Sequence, residues 1–574
     1  MADRSRSLEY TLSFPQPSAH RVDVTLRLPG GGDLELWMPV WTPGSYLVRE
    51  YSRHVQDLIA QNEAGAVLEI TKTRKNCWAI KAANAKNVTV TYIVYGRELS
   101  VRTNWIEDDV ALLNGAPTFI TVRGYENGVH RVVLELPKGW KSAWSSMAKD
   151  LSGNRVTFTA QNHDELVDSP ILAGSPDVHD IPVDGIPISL VNAGDTSLWN
   201  AGEAAAHVRK VVETYRDMMG GLPFDRYLFL NCSLEGRGGL EHAHSCVLMT
   251  SRYAFRKRSL YVDWIGLVSH EFFHVWNVKR LRPAALGPFD YENEVYTRSL
   301  WFAEGVTSYY TPLIPRRADL TKTEELLDAL SEHIEKLQTT PGRRHQSLEE
   351  SSFDAWIKLY RPDENSVNTT ISYYVKGAVV AWLLDAEIRS LTQGKRSLDD
   401  LMRRLFSKYS KENGYADRDL QEVAEEIAGT SLESFFAKSV RGRDELDYET
   451  ALRTFGLRFK KAKAETQVWI GIETTSRDGK LVITSVREDA PAHTAGLAAE
   501  DELIALGGYR VDSRTLTERL QQFRPGDRVD VLVARRDAVR TLNLVLAEAS
   551  GSWKLEIDPD APPEAVKTRE AWMG

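Results

Sequence analysis

Hydrophobic and polar positions alternate in short runs over the first 178 residues, and Gly, Pro and Asn separate these runs. The pattern is clearest in Val22–Leu28, Val88–Val94 and Arg131–Leu136. A period of two buries one face of a segment and exposes the other, as in a half-buried β-strand. We therefore predict an N-terminal antiparallel β-sandwich over residues 1–178.

The pattern changes further along the chain. Strand-like and helical patterns mix over residues 179–312, and helical periodicity dominates over 313–455. Short strands and turns return over 456–548, and a tail rich in proline and charge covers 549–574, which we expect to be loosely held. The sequence thus predicts a multidomain α+β chain.

The mixed region contains the strongest chemical signal, a helical pattern that includes His270, Glu271 and His274. Two histidines four residues apart project from one face of a helix and can bind one metal ion, with the glutamate beside it. We expect Asp263 to cap this helix and the helix to end near residues 279–280. The alternative is a pair of hydrogen-bonded core histidines.

A catalytic zinc ion usually has three protein ligands and an open position for water, so a third ligand is needed. The metzincin pattern would require Gly and His where this chain has Asn277 and Arg280. Glu294 and Glu304 remain as candidates. We favour Glu304, because it lies in a strongly apolar helical pattern where an unpaired carboxylate is costly to bury. Alternatively, Glu304 orients a histidine without touching the metal.

Four motifs together resemble the glycyl aminopeptidase family of zinc peptidases, which is distantly related to aminopeptidase N and the leukotriene hydrolase. The motifs are residues 270–283, 300–310, 41–46 and 164–170. The similarity covers nearly the whole chain. It implies a thermolysin-like zincin domain over 179–312, a helical domain over 313–455 that completes the active site, and one Zn²⁺ per chain.

The segment Gly238-Gly239-Leu240-Glu241-His242 resembles the substrate loop of the aminopeptidase superfamily. There an edge strand pairs with the peptide backbone and a glutamate binds the free amino group, so the resemblance implies that role for Glu241. His242 occupies the position of the superfamily's asparagine. Without the zinc motif, an ordinary Gly-Gly turn would explain this segment. His244 could be a further metal ligand, but a loop histidine is the simpler interpretation.

The segment Ser372-Tyr373-Tyr374-Val375-Lys376-Gly377 is similar to a second part of the related active sites. Those enzymes have a catalytic tyrosine two residues before Lys-Gly, which implies Tyr374. Its phenol would donate a hydrogen bond to the oxyanion of the tetrahedral intermediate. Tyr373 competes with it by position, and a packing role is the alternative for either ring.

The implied activity is the removal of N-terminal residues from peptides with a free amino group, with Glu271 as general base for a metal-activated water. The family implies a preference for small first residues, Gly or Ala. A zinc endopeptidase or another gluzincin hydrolase is the main alternative, because only the amine anchor distinguishes these enzymes. A catalytically silent peptide-binding scaffold is a second alternative.

Residues 456–548 resemble the PDZ domains of bacterial proteases, on the segments Ala490–Leu497 and Asp501–Gly508. Trp469, Ile470, Gly471 and Ile472 would form the loop whose backbone amides receive a peptide C-terminus. The module could equally well serve only to pack against the catalytic part.

The composition limits which binding partners and which cellular compartment we expect for this protein. A net charge of −9 over 574 residues, without a basic cluster, disfavours nucleic acid as a partner. The three cysteines are too few and too scattered for a disulfide framework or a thiolate zinc site, so we expect reduced thiols. The start shows no signal-peptide pattern and no run is long enough to span a membrane, which makes a cytoplasmic enzyme the expectation.

Overall fold

The computed structural model describes residues 7–152, 155–410, 414–460, 468–548 and 553–574. Its contacts divide the chain into two compact units. The first unit contains Met1–Tyr296, Leu313–Thr321 and Met402–Ala416. The second contains Thr297–Pro312, Lys322–Leu401 and Asp417–Gly574.

The N-terminal part of the first unit contains fifteen described strands and one short α-helix. These elements are β1 (Leu8–Ser13), β2 (Arg21–Pro29), β3 (Leu34–Trp37), β4 (Val55–Asn62), β5 (Ile70–Arg74), β6 (Cys77–Ile80), β7 (Asn87–Tyr95), β8 (Trp105–Ile106), β9 (Val110–Leu113), β10 (Thr121–Val122), β11 (His130–Glu135), β12 (Ser142–Trp144), β13 (Ala148–Ser152), β14 (Arg155–Ala160), α1 (His163–Val167) and β15 (Ile171–Gly174).

These strands form a seven-stranded sheet in the order β13-β14-β11-β1-β2-β7-β4 and two four-stranded sheets. Alternate residues of the large sheet, such as Tyr10, Val24 and Val90, share one hydrophobic core with Leu36 of β3 and Ile171 of β15. The predicted layered β domain is confirmed, with one difference. Strands β1 and β11 pair in parallel, so the large sheet is not purely antiparallel.

A mixed sheet follows, with two long helices. Its elements are β16 (Asp177–Asp180), β17 (Ile188–Gly194), α2 (Ala201–Met219), β18 (Tyr227–Ser233), β19 (Gly238–Glu241), β20 (Ser245–Thr250) and α3 (Arg258–Phe273). Strands β17, β18 and β20 are parallel and buried, while β16 and β19 lie antiparallel at the two edges. Strand β19 therefore has one edge that no strand of this sheet covers.

The next region is helical, as predicted. Its helices are α4 (Thr307–Arg317), α5 (Thr323–Gln338), α6 (Leu348–Phe353), α7 (Ser366–Thr369), α8 (Tyr373–Leu391), α9 (Leu398–Tyr409), α10 (Asp417–Ala428), α11 (Glu433–Phe436) and α12 (Glu449–Phe455). Helix α8 is buried along most of its length. A π-helical turn, Trp301–Val306, precedes α4 and is completely buried.

The C-terminal elements are β21 (Leu457–Phe459), β22 (Val468–Trp469), β23 (Ile472–Arg477), β24 (Lys480–Val486), α13 (Pro491–Ala495), β25 (Glu502–Leu506), β26 (Tyr509–Arg510), α14 (Thr515–Leu520), β27 (Arg528–Arg535), β28 (Ala538–Val545), β29 (Ala547–Glu548), β30 (Leu555–Ile557) and α15 (Pro563–Met573). The antiparallel sheet β23-β24-β25-β27-β28 has its own hydrophobic core.

The expectation of a loosely held tail is wrong. Strand β30 pairs with β21, and Trp572 of α15 is fully buried with its ring 4.4 Å from that of Phe455. The tail looked loose because its hydrophobic residues are sparse, and only the fold shows that they are the buried ones.

Cys77, Cys232 and Cys246 are buried free thiols. Within the described ranges, no helix is long and apolar enough to cross a membrane.

Candidate active site

Helix α3 presents the three residues of the metal motif at its C-terminal end. The rings of His270 and His274 lie with their centroids 4.8 Å apart, as expected for neighbours four residues apart on one helix face. The helix begins at Arg258, not at an Asp263 cap, and it ends at Phe273, before residues 279–280. His274 is its C-terminal capping residue, so the motif straddles the end of the helix.

The backbone after α3 fixes the orientation of His274. Its Nδ1 lies 2.6 Å from the carbonyl oxygen of Asn277, and a carbonyl can only accept. His274 therefore donates through Nδ1, and in the neutral imidazole the lone pair that a metal ion requires is on Nε2. This arrangement fits a metal ligand.

Strand β19 and helix α3 bring two carboxylates to the second histidine. Ligand atoms of Glu241, Glu271 and His274 all lie within 4.8 Å of one another, and all three residues are buried. The strand can approach so closely because Gly239 has no side chain. A Cβ at that position would lie 2.1 Å from Oε1 of Glu271.

Glu241 has only 4% of its surface exposed, and no hydrogen bond or ion pair from any described residue reaches its carboxylate. The turn that contains Gly44 lies directly against this carboxylate. A Cβ on Gly44 would be 2.5 Å from Oε1, and its φ of +84° also favours glycine. A buried carboxylate without a partner is costly, so the site is suited to a cationic ligand.

A buried ion pair holds the next residue, His242. Its Nδ1 lies 3.1 Å from Asp168, which also accepts hydrogen bonds from Lys279 at 2.7 Å and from the amide of Ala243 at 2.8 Å. Burial alone would raise the pKa of Asp168, but the Lys279 charge and the His242 hydrogen bond outweigh it and lower that pKa. Asp168 is thus a carboxylate, and His242 donates through Nδ1.

In the second unit, Glu304 lies in the π-helical turn and is 2% exposed. This turn packs closely on α8, because a Cβ on Gly305 would be 2.5 Å from the Cα of Gly377. The α8 residue Tyr374 is near enough to Glu304 to be affected by its charge. Burial and then the Glu304 charge raise the pKa of Tyr374, so its phenol keeps its proton at neutral pH.

The alternatives that the sequence left open differ in burial. Glu294 is exposed in an irregular segment, unlike Glu304. His244 lies in a loop, where its Nδ1 is 3.6 Å from Asp225 and burial lowers its pKa. Tyr373 is fully buried and stacks on Tyr374, with ring centroids 4.8 Å apart. Tyr374 is the more accessible of the two rings.

In the predicted PDZ loop, Trp469 ends β22 and Ile472 begins β23, with Ile470 and Gly471 between the two strands. Gly471 has a φ of +77°, and a Cβ there would be 2.2 Å from the Cβ of Ala490. Ile470 is buried and Trp469 is half-buried. Strand β23 is an edge strand of its sheet.

Two residues that contact Glu241 or His242 had no role in the sequence analysis. Gly44 and Asp168 both lie in motifs that the sequence shows, but neither motif indicates that its residue contacts Glu241 or His242. Gly44 and Glu241 are 197 positions apart in the chain, and Asp168 and His242 are 74 positions apart. Only the fold brings them together.

Sequence models of three known domains match this chain. The Peptidase M61 N-terminal domain matches residues 9–175, the M61 glycyl aminopeptidase domain matches residues 263–380, and a PDZ domain matches residues 468–546. No curated protein matches the chain.

One solved structure shows the same architecture over the whole chain, and a second is more distantly similar. An aminopeptidase N family protein from Idiomarina loihiensis is 29% identical, with a TM-score of 0.91 over 99% of this chain and 100% of that one. The M1 zinc metallopeptidase from Deinococcus radiodurans is 14% identical, with a TM-score of 0.47 over 77% of this chain and 95% of that one.

Proposed function

Because the chain carries both domains of the M61 glycyl aminopeptidase family and a PDZ domain, we propose that this peptidase is a zinc-dependent aminopeptidase. It removes N-terminal residues, above all small ones such as Gly and Ala, from peptides. The observation that carries this proposal is the buried, unpaired carboxylate of Glu241 beside Glu271 and His274. An ammonium group is the natural partner for such a carboxylate.

His270, His274 and Glu304 hold one zinc ion per chain in this proposal. Support comes from the paired imidazoles of His270 and His274, from the hydrogen bond that His274 donates through Nδ1, and from the burial of Glu304. Zinc supplies a Lewis acid that polarises the scissile carbonyl and acidifies a water molecule.

Glu271 is the general base, which takes the proton of the attacking water and later delivers a proton to the leaving amine. A ligand atom of its carboxylate lies within 4.8 Å of one of His274, which supports this role. Tyr374 donates a hydrogen bond to the substrate oxygen as negative charge develops on it. The protonated state of its phenol supports this role.

The substrate backbone adds to the uncovered edge of β19, at Gly238 and Gly239, and its ammonium group binds Glu241. His242, held by Asp168, borders the same position and contributes to substrate binding. Since the amino terminus is anchored next to the metal ligands, the enzyme removes single residues. Trp469, Ile470, Gly471 and Ile472 offer a separate site for a peptide C-terminus.

Paired substrates test the amine anchor. We expect free-amine peptides to be cleaved and the same peptides with an acetylated N-terminus to be nearly inert. Glu241→Gln should lose activity on free-amine peptides, because a charge-assisted hydrogen bond of about 1.5 to 3 kcal/mol is removed. The matched control is Glu235→Gln, an exposed carboxylate in the preceding loop, which should behave like the native enzyme.

The alternatives predict other outcomes. An endopeptidase would cut internal bonds of acetylated peptides as readily as it trims free ones. A silent scaffold would cleave neither peptide. Glu271→Gln separates chemistry from folding, since it should keep bound zinc but lose roughly 10²- to 10⁴-fold in turnover.

A further inference from the structure

The PDZ domain is held against the helical region at a turn that follows β24. Arg487 donates to the carbonyl oxygen of Thr339 at 2.9 Å, and Asp489 pairs with Arg344 at 3.0 Å. The most specific contact is made by Asn368 of α7. Its amide donates to the Val486 carbonyl oxygen at 2.9 Å, and its side-chain oxygen accepts from the Glu488 amide at 2.7 Å.

Helix α7 has four residues and cannot hold its position by itself. Its C-terminal end also packs on the 3₁₀ turn Pro341–Arg344. A Cβ on Gly342 would lie 2.2 Å from the carbonyl oxygen of Thr370, so these two backbones are in direct contact. Helix α7 therefore rests on two supports, this turn and the PDZ domain.

The chain leads from α7 directly into the catalytic tyrosine. Ile371 accepts a hydrogen bond from Ser351 at 2.7 Å, and its amide donates to Gln346 at 3.0 Å. Ser372 then caps α8 by accepting from the amide of Val375. Tyr374 is the second residue of α8, only six positions after Asn368.

The chain that enters α7 reaches Tyr374 from the other side. The hydroxyl oxygens of Tyr360 and Tyr374 are 3.4 Å apart. Between Tyr360 and α7, Asp363 fixes a turn by accepting from the amide of Asn365 and from the hydroxyl of Ser366. The segment before α7 therefore contacts Tyr374, and the segment after α7 leads into it.

We propose that Asn368 is a positioning residue, through which the PDZ domain holds Tyr374 in its catalytic orientation. The PDZ domain is then part of the catalytic apparatus, whatever it binds at its own loop. This inference rests on the proposed function only in the role of Tyr374. The physical reason is that the first turn of a helix is set by the chain that enters it, and Asn368 fixes that entry.

Asn368→Ala in the full-length zinc-loaded enzyme tests the proposal. We expect kcat to fall roughly tenfold while KM stays nearly unchanged. This fall in kcat is smaller than the loss of about 10²-fold that a misplacement of one ångström can cause. The matched control is Asp489→Ala, which removes an exposed ion pair at the same contact and should change neither parameter.

A double-mutant cycle shows whether the effect passes through Tyr374. In a Tyr374→Phe background, Asn368→Ala should lower kcat no further than about twofold. If the two losses multiply, Asn368 acts elsewhere and the proposal is overturned.

Hydrogen exchange gives a readout that does not depend on activity. Asn368→Ala should speed amide exchange over residues 366–376, whereas Asp489→Ala should not. Unchanged exchange would overturn the proposal whether or not the enzyme cleaves peptides. If Tyr374→Phe leaves kcat intact while exchange changes as expected, the catalytic role of Tyr374 has failed and the contact between the PDZ domain and α8 stands.

Discussion

The two glutamates that the sequence offers as a third metal ligand differ in the exposure of their carboxylates to water. Glu304 is 2% exposed among aromatic and aliphatic side chains, while Glu294 is exposed to water. A buried carboxylate is stabilised by a metal ion and a solvated one has little to gain. This difference favours Glu304 over Glu294 as the third ligand in the proposed zinc site.

Glu304→Ala should therefore lose tightly held zinc, since one of three protein ligands is removed. Glu294→Ala is the control and should retain close to one zinc per chain. Metal analysis of the purified, dialysed proteins measures both. Equal retention in the two variants would rule out Glu304 as a ligand.

His130 and His163 form a buried pair in the N-terminal domain, with ring centroids 6.0 Å apart. Burial lowers the pKa of His130 to about 4 and that of His163 to about 3. Both histidines are neutral in the folded protein at pH 5. In the unfolded chain, the same two side chains bind protons with a pKa near 6.5. Acidification from pH 6.5 to 5 thus favours unfolding by about 2 kcal/mol for each histidine.

His163→Phe should reduce this pH dependence by about half, because Phe has a similar shape and no proton to bind. Thermal unfolding of the N-terminal domain, followed between pH 6.5 and 5, measures the effect. This pH range lies above the pKa values of most carboxyl groups. An unchanged slope would contradict the assigned role of His163.

At the scale of elements, β19 and α3 meet at a contact that leaves no room for a side chain on Gly239. This close approach brings ligand atoms of Glu241 and Glu271 within 4.8 Å of one of His274. The sequence shows the strand and the helix separately, but it does not show the distance between them.

Gly239→Ala should separate β19 from α3 and lower activity on free-amine peptides by at least tenfold, because the added Cβ would overlap Glu271. Gly202→Ala is the matched control. A Cβ there meets nothing within 4 Å, and alanine favours helix α2, so this variant should be fully active and slightly more stable. Equal kcat/KM values for both variants would show that the close contact has no catalytic importance.

At the scale of the molecule, the C-terminal helix α15 completes the helical region. Trp572 is fully buried and donates a hydrogen bond to the Tyr309 hydroxyl at 2.7 Å, which donates in turn to Asp385. Tyr309 lies one helical turn beyond the π-helical turn that holds Glu304. The end of the chain thus supports the helix that follows the proposed metal ligand.

Trp572→Ala should destabilise the helical region by about 3 to 5 kcal/mol, the usual cost of removing a large buried aromatic side chain. Lys567→Ala changes an exposed residue of the same helix and should have little effect. Differential scanning calorimetry resolves the transition. If the Trp572→Ala protein unfolds at the same temperature as the native protein, α15 only covers the surface.

The sequence by itself predicted a peptidase and the classes of structure, and both are confirmed. The spacing of His270 and His274, the apolar surroundings of Glu304 and the strand periodicity follow from local rules that need no partner. The ends of α3, the parallel pairing of β1 with β11 and the packing of the tail depend on segments far apart in the chain. Only the tertiary structure places Gly44 on Glu241, Asp168 on His242 and Asn368 on the PDZ domain. Side-chain periodicity records whether a residue is buried, and it carries no information about which distant residue it is buried against.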